Sequence, residues 1–268
     1  MGKIIAVATP KGGVGKTTTA FNLSYAFALN SKRTLLIDAD PLGSCSSLFN
    51  NNINFNGGIF DIFNYSKLLN QVIHQTKQKN LYFIPSKNIS FHDESRLTKL
   101  TNNHLLFKNL LKPEACSFDY VIIDCPPYLV GMTTNSLIAA DSVIIPIEPS
   151  PFSLKSICKM LDHIDYIKKN YNQNLTIEGI LVTFNEKNST ASFKVKKNLI
   201  LKYPNIIMRT IIPKNMDITN AFFKNESVIS YNITAKSSIA YMKLAQELME
   251  RNQTGLKSIN KHLSEINY

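Results

Sequence analysis

Short continuous apolar runs alternate along the chain with longer segments whose apolar residues recur at helical spacing. Ile4-Ile5-Ala6-Val7-Ala8 is the first such run, the pattern of a strand buried on both faces. Residues 20–29 follow with helical spacing, and residues 33–40 contain the next run, Leu35-Leu36-Ile37, closed by Asp38-Ala39-Asp40. Residues 81–85, 120–124, 141–148, 177–184 and 208–212 read as further strands. Residues 59–65, 68–74, 95–111, 135–140, 153–169, 191–203 and 238–251 read as helices. In the segment 153–169, Leu154, Ile157, Met160, Leu161, Ile164 and Ile167 fall on one covered face. Residues 50–58, rich in Asn and closing on Gly57-Gly58, read as a loop. Strands alternating with helices predict an α/β, doubly wound, mostly parallel sheet flanked by helices, with ligands at the carboxyl ends of the strands.

No repeat or linker divides the 268 residues, so residues 1–251 read as a single domain and 252–268 as a tail. Lysine and arginine number 30 against 19 acids, a net charge of +11. That excess fits an anionic partner, nucleic acid or lipid, although its spread along the chain also fits plain solubility. Cys45, Cys116, Cys125 and Cys158 form no C-x-x-C pair and have no histidine cluster beside them. Disulfides and structural zinc are therefore not expected, which suits a reducing cytosol. No signal peptide is read, and no apolar run approaches the roughly 20 residues that span a bilayer.

The segment between the first strand and the first helix changes the picture. It reads Pro10-Lys11-Gly12-Gly13-Val14-Gly15-Lys16-Thr17-Thr18-Thr19. Closely spaced glycines let successive backbone N–H groups turn inward, and the following helix adds its unsatisfied donors and the positive end of its dipole. This is a cradle for phosphate, with Lys16 able to reach the outer phosphates and the Thr17 hydroxyl able to ligate Mg²⁺. The ordinary loop, G-x-x-x-x-G-K-[ST], would place glycine at position 10, where Pro10 stands, and Lys11 adds a second cation. Lys11 is badly placed to serve the same nucleotide, so its expected use is to reach sideways to a phosphate held by another subunit. Asp38 and Asp40 end one strand, and both could face the loop. Asp124 ends another and is expected to hold Mg²⁺, usually through water, while Pro126 and Pro127 stiffen the loop after it.

Lys-Gly-Gly-Val-Gly-Lys-Thr-Thr at 11–18, Asp38-Ala39-Asp40-Pro41 and Ile123-Asp124-Cys125-Pro126-Pro127 together resemble the ParA/MinD class of deviant Walker ATPases. Thr134-Asn135-Ser136-Leu137, Ile212-Pro213-Lys214-Asn215 and Ser238-Ile239-Ala240-Tyr241 are similar to the ParA (Soj-like) branch. The resemblance implies a slow, Mg²⁺-dependent ATPase that segregates plasmid or chromosomal DNA and is itself cytoplasmic and nucleoid-associated. It implies a homodimer that forms on ATP binding, binds DNA nonspecifically and is stimulated to hydrolyse by a ParB-like partner. Lys11 is then the lysine that crosses the dimer interface, with Gly12, Gly13, Val14 and Gly15 completing the loop. Lys16 binds the β/γ-phosphates, Thr17 binds Mg²⁺ and Thr18 contacts the α-phosphate. Asp38 and Asp124 support Mg²⁺, Asp40 orients or activates the attacking water, and Thr183, Asn185 and Pro213 hold the adenine.

Against the family pattern, Leu42 replaces a frequent Gln, Ser44 a frequent Asn, and Asp217 a frequent DNA-binding Arg. Lys194, Lys196, Lys197, Lys202, Arg209 and Lys214 are the alternative phosphate-binding surface. No helix-turn-helix extension is read, so operator recognition is not expected. Leu256, Ile259, Leu263 and Ile266 could form a short amphipathic helix in the tail, which keeps a MinD-like membrane positioner as an alternative. A ParA-like protein that positions another cargo is the other alternative. A nitrogenase-reductase relative is disfavoured, because no cysteine pair is placed to share an iron–sulfur cluster.

Overall fold

Residues 2–49, 55–86, 91–186 and 190–253 are described by the structure, a computed structural model. The proposed tail helix therefore lies outside the described residues. Five strands form the parallel heart of the sheet: β1 (Lys3–Val7), β2 (Thr34–Asp38), β5 (Tyr120–Asp124), β6 (Ser142–Ile147) and β7 (Thr176–Val182). With β3 (His74–Gln75) and β4 (Leu81–Ile84) the order is β3-β4-β2-β5-β1-β6-β7. Only the two-residue β3 runs antiparallel, against β4.

Alternation along each strand splits the core in two. Ile4, Ala6, Leu35, Ile37, Val121, Ile123, Val143 and Ile145 point to one face. Ile5, Val7, Leu36, Ile122 and Ile144 point to the other. Both sets are fully buried, so these strands read as unbroken apolar runs rather than as half-polar ones. The first face is covered by α2 (Ile59–Phe63), α3 (Phe91–Leu100), α4 (Leu106–Ala115), α5 (Met132–Ala139), α6 (Ser153–Asn170) and α7 (Thr190–Lys202). The second is covered by α1 (Lys16–Leu29), α8 (Met216–Phe223), α9 (Val228–Tyr231) and α10 (Lys236–Gln253). Buried Asn22 of α1 ties that layer together: its amide donates to Thr18 O at 2.8 Å, and its oxygen accepts from Val228 N at 2.8 Å.

Several elements differ from the sequence pattern, among them the helix expected over 95–111, which is divided into α3 and α4. The segment expected to be a helix at 68–74 is a 3₁₀ turn, Leu69–Val72, running into β3. Two short helices, α8 and α9, went unread, although Asn215 and Ser227 cap them by accepting from Asp217 N and Ser230 N. The strand expected at 208–212 is broken into isolated bridges, Ile180–Ile207 and Asn185–Pro213. The reason is a buried carboxylate. Glu247 of α10 takes the amides of Arg209 and Thr210, at 3.0 and 2.9 Å, so Thr210 does not donate to β7, which the segment reaches only through Met208 N and Ile212 N.

Candidate functional site

Because β1, β2, β5, β6 and β7 are parallel, their carboxyl ends share one edge, and the loops after them converge there. The glycine-rich loop joins β1 to α1. Gly13 (φ 71°) and Gly15 (φ 84°) occupy the left-handed region, which an L side chain adopts only under strain. At Gly15 there is also little room, since a Cβ would come 3.2 Å from the Phe184 ring, which would have to give way. Phe184 is itself left-handed (φ 49°), and its neighbour Thr183 donates to Val14 O at 2.8 Å. The β7–α7 junction thus braces the loop from behind. Sequence reasoning missed Phe184, and its sole signal was its position between Thr183 and Asn185.

The two lysines of the loop part company. Lys16 is 7% exposed, and its Nζ donates to Lys11 O at 2.9 Å. Burial pulls its pKa below the ordinary lysine value, against the opposing pull of Asp124, Cys125 and Asp40. Lys11 lies on the outer lip, half-buried, with Nζ 3.2 Å from Ser150 Oγ and 3.5 Å from Glu148 Oε2 on the β6–α6 loop. Gly12 and Gly13 are exposed between them, Val14 and Thr18 are buried, and Thr17 is half-buried.

Asp38 and Asp124 stand side by side at the ends of paired strands, both fully buried, but they are bonded very differently. Asp38 Oδ2 accepts from Ser46 N at 2.8 Å and Ser46 Oγ at 2.7 Å, and Oδ1 accepts from Asp40 N at 3.1 Å. Neither oxygen of Asp124 has a hydrogen-bond partner among the described residues. Burial first, then the charge of Asp38, drives the Asp124 pKa well up, while the nearby Thr17 hydroxyl and Lys16 ammonium act in the opposite direction without a hydrogen bond of ordinary geometry. Holding such a carboxylate ionised without a partner costs roughly several kcal/mol. A cation beside Asp124 and Thr17 removes that cost. Among the described residues no group of three or more His, Cys, Asp or Glu side chains could hold an ion alone. That suits Mg²⁺, which ordinarily takes one or two protein ligands and completes its shell with water and phosphate oxygens. Asp40 is 7% exposed, and its Oδ1 accepts from Leu42 N at 3.0 Å.

Asn185 and Pro213 face each other across an isolated bridge at the same edge, Asn185 N donating to Ile212 O at 3.1 Å. They border a cavity that continues between the 209–213 segment and α10. The expected nucleotide residues are thus gathered at one edge of the sheet. The expected phosphate-binding surface is more scattered. Lys194, Lys196, Lys197 and Lys202 lie on α7, where the first three make no ion pair among the described residues. Arg209 is held by Glu250 at 3.0 Å and lies 3.7 Å from Glu247, and Lys214 is held by Glu186 at 2.6 Å.

A family model described as an AAA domain matches residues 2–177. The chromosome partitioning protein ParA of Myxococcus xanthus is 33% identical over 94% of this chain and 89% of its own length. The chain belongs to the ParA family. The sporulation initiation inhibitor protein Soj of Bacillus subtilis is 32% identical, over 92% of this ParA-family chain and 98% of Soj. Among solved structures, cobyrinic acid a,c-diamide synthase of Mycobacterium smegmatis, with bound ATP analogue and magnesium, superposes with a TM-score of 0.80. It is 25% identical, over 96% of this chain and 98% of that one. The ParA-family assignment makes the glycine-rich edge that of a P-loop ATPase, and the seven-stranded sheet is its scaffold. No helix among the described residues is long and apolar enough to cross a membrane.

Proposed function

We propose that this ParA-family protein is a slow, Mg²⁺-dependent ATPase that pairs on ATP, binds DNA without sequence preference as the pair, and lets go after hydrolysis stimulated by a ParB-like partner. The separation of the two loop lysines carries this reading. Lys16 is buried facing the carboxylates, whereas the Lys11 side chain sits on the lip, turned away from them towards Ser150 and Glu148 of the β6–α6 loop. A lysine so placed is available to a triphosphate on a second copy. Around it, Leu42, Val130 and Phe152 are each 71% exposed on loops of the same edge, apolar surface that a second copy would cover.

Within one subunit, Gly12 to Gly15 would wrap the phosphates, Lys16 would bind the β/γ-phosphates and Thr18 the α-phosphate. Thr17 and Asp124 would hold Mg²⁺, directly or through water, with Asp38 behind them. Bound there, Mg²⁺ supplies positive charge against the β- and γ-oxygens. Asp40 would orient the attacking water, and Thr183, Asn185 and Pro213 would border the adenine. Phosphoryl transfer needs mainly positioning and charge cancellation, so a site that lacks Lys11 until pairing turns over slowly. Lys194, Lys196, Lys197 and Lys202, with Arg209 and Lys214 as weaker members, would meet DNA phosphates and place the protein on the nucleoid.

The test is DNA binding with ADP and with ATP across a salt series. Binding seen with ATP alone, and falling steeply as salt rises, supports the reading. Equal binding in both nucleotides, or none in either, refutes the switch.

A further inference from the structure

The loop after β2 closes on itself through one hydroxyl. Ser46 is 5% exposed, and its Oγ donates to Asp38 Oδ2 at 2.7 Å while accepting from Ser86 N at 2.8 Å. A serine hydroxyl has one proton to give and lone pairs to receive, so both bonds can exist together. Ser46 N adds a second donor to the same oxygen, and Asp38 Oδ1 accepts from Asp40 N. The path runs from the end of β4, through Ser46 and Asp38, to the backbone of Asp40. Pro85, next to Ser86, accepts from Ile59 N at 2.9 Å, so α2 hangs from the same point. Cys45 and Leu48, buried on either side of Ser46, fix the loop in the core, so the hydroxyl cannot turn out to solvent.

We infer that Ser46 is a positioning residue: through Asp38 it sets where Asp40 stands, and it ties that acid to the β4–α3 connection. Asp38 is, in this assignment, first the anchor of its own loop, and the cation-facing carboxylate is Asp124, whose oxygens are left open. The inference rests on the proposed ATPase reading for its catalytic consequence, but its structural core does not. Removing the hydroxyl leaves the buried Ser86 N–H and one Asp38 lone pair without a partner, so the loop gains freedom where Asp40 is attached. The phosphate loop shares none of these bonds and keeps its shape.

The experiment compares Ser46→Ala and Ser46→Thr with the unaltered full chain by hydrogen exchange and by ATP turnover. In Ser46→Ala, exchange of the 39–48 segment and of the Ser86 amide should speed up about tenfold, with residues 10–19 unchanged. The kcat should fall roughly tenfold at unchanged KM and unchanged affinity for a fluorescent ATP analogue, a misplaced reacting group being felt in kcat. Ser46→Thr keeps the hydroxyl and should restore both. Unaltered exchange at Ser86 overturns the inference, as does loss of protection across the phosphate loop as well, which marks general loosening. If the unaltered protein does not hydrolyse ATP, the ATPase reading fails, and the exchange measurements still decide the tie between Ser46, Asp38 and Ser86.

Discussion

Lys16 and Lys197 both sit on helices, and nothing around them is alike. Lys16 is nearly buried, faces Asp124 and Asp40, and is aimed by a glycine turn that β7 braces from behind. Lys197 is exposed on α7, among other lysines and beside exposed Phe193 and Ile200. In the cradle the Lys16 charge is fixed by Lys11 O at 2.9 Å and stripped of water, which makes it strong and specific. On the flank each charge is hydrated and screened, so it acts by number rather than by placement. Some flank charges are already spent: Arg209 on Glu250 and Lys214 on Glu186. The same residue type is therefore a buried, fixed charge in one region and one of several hydrated, screened charges in the other.

Lys16→Ala should break the comparison most sharply. ATP affinity is expected to fall about a hundredfold or more, as when one partner of a buried charged contact is removed. Titration of a fluorescent ATP analogue checks this, and unchanged affinity refutes the cradle. Asp40→Ala should leave ATP binding intact, lower hydrolysis by about a hundredfold, and hold the protein as an ATP-bound pair. Light scattering after size exclusion reads the pair, and normal turnover would show that Asp40 has been given the wrong role. On the flank, Lys194→Ala with Lys197→Ala should weaken DNA binding about tenfold and flatten the slope of log K against log salt by roughly 2. Lys214→Ala, whose charge Glu186 already offsets, should change the slope by less. Equal slopes for the paired and unpaired lysines would remove the distinction drawn between them.

The effect furthest from the nucleotide edge belongs to the buried acid that shapes the 209–213 segment. Burial works against the charge of Glu247, but hydrogen bonds from Thr210 and Arg209 and the charge of Arg251 outweigh it and hold its pKa below the ordinary glutamate value. A depressed carboxylate stabilises the fold above its unfolded pKa, and that gain fades as pH falls through the folded value. Glu247→Gln is thus expected to cost about 1–3 kcal/mol at neutral pH. The difference from the unaltered protein should shrink below roughly pH 4.5. Urea unfolding at pH 7 and pH 3.5 measures both, and a constant difference would rule out the ionised form.

How far the sequence could be read depended on how local the cause was. Strand ends bearing Asp38 and Asp124, and the glycine turn before Lys16, are specified by neighbours in the chain. So are the buried strands, whose apolar runs need no partner to be recognised. The broken strand at 208–212 could not be seen, because the carboxylate that takes its amides comes from α10. Nor could the brace of Phe184 on Gly15, which lie 169 residues apart.

By itself the sequence determined the fold class, the glycine turn between β1 and α1, and the acids at the strand ends. These follow from periodicity, from the conformations open to glycine, and from the rule that parallel strands share an edge. Only the tertiary structure decided which acid is open and which is already bonded, and which lysines make no ion pair among the described residues. Two aspartates at the ends of neighbouring strands look equivalent in the chain. They become different only when folding brings Ser46 to one and leaves the other without a hydrogen bond of ordinary geometry among the described residues.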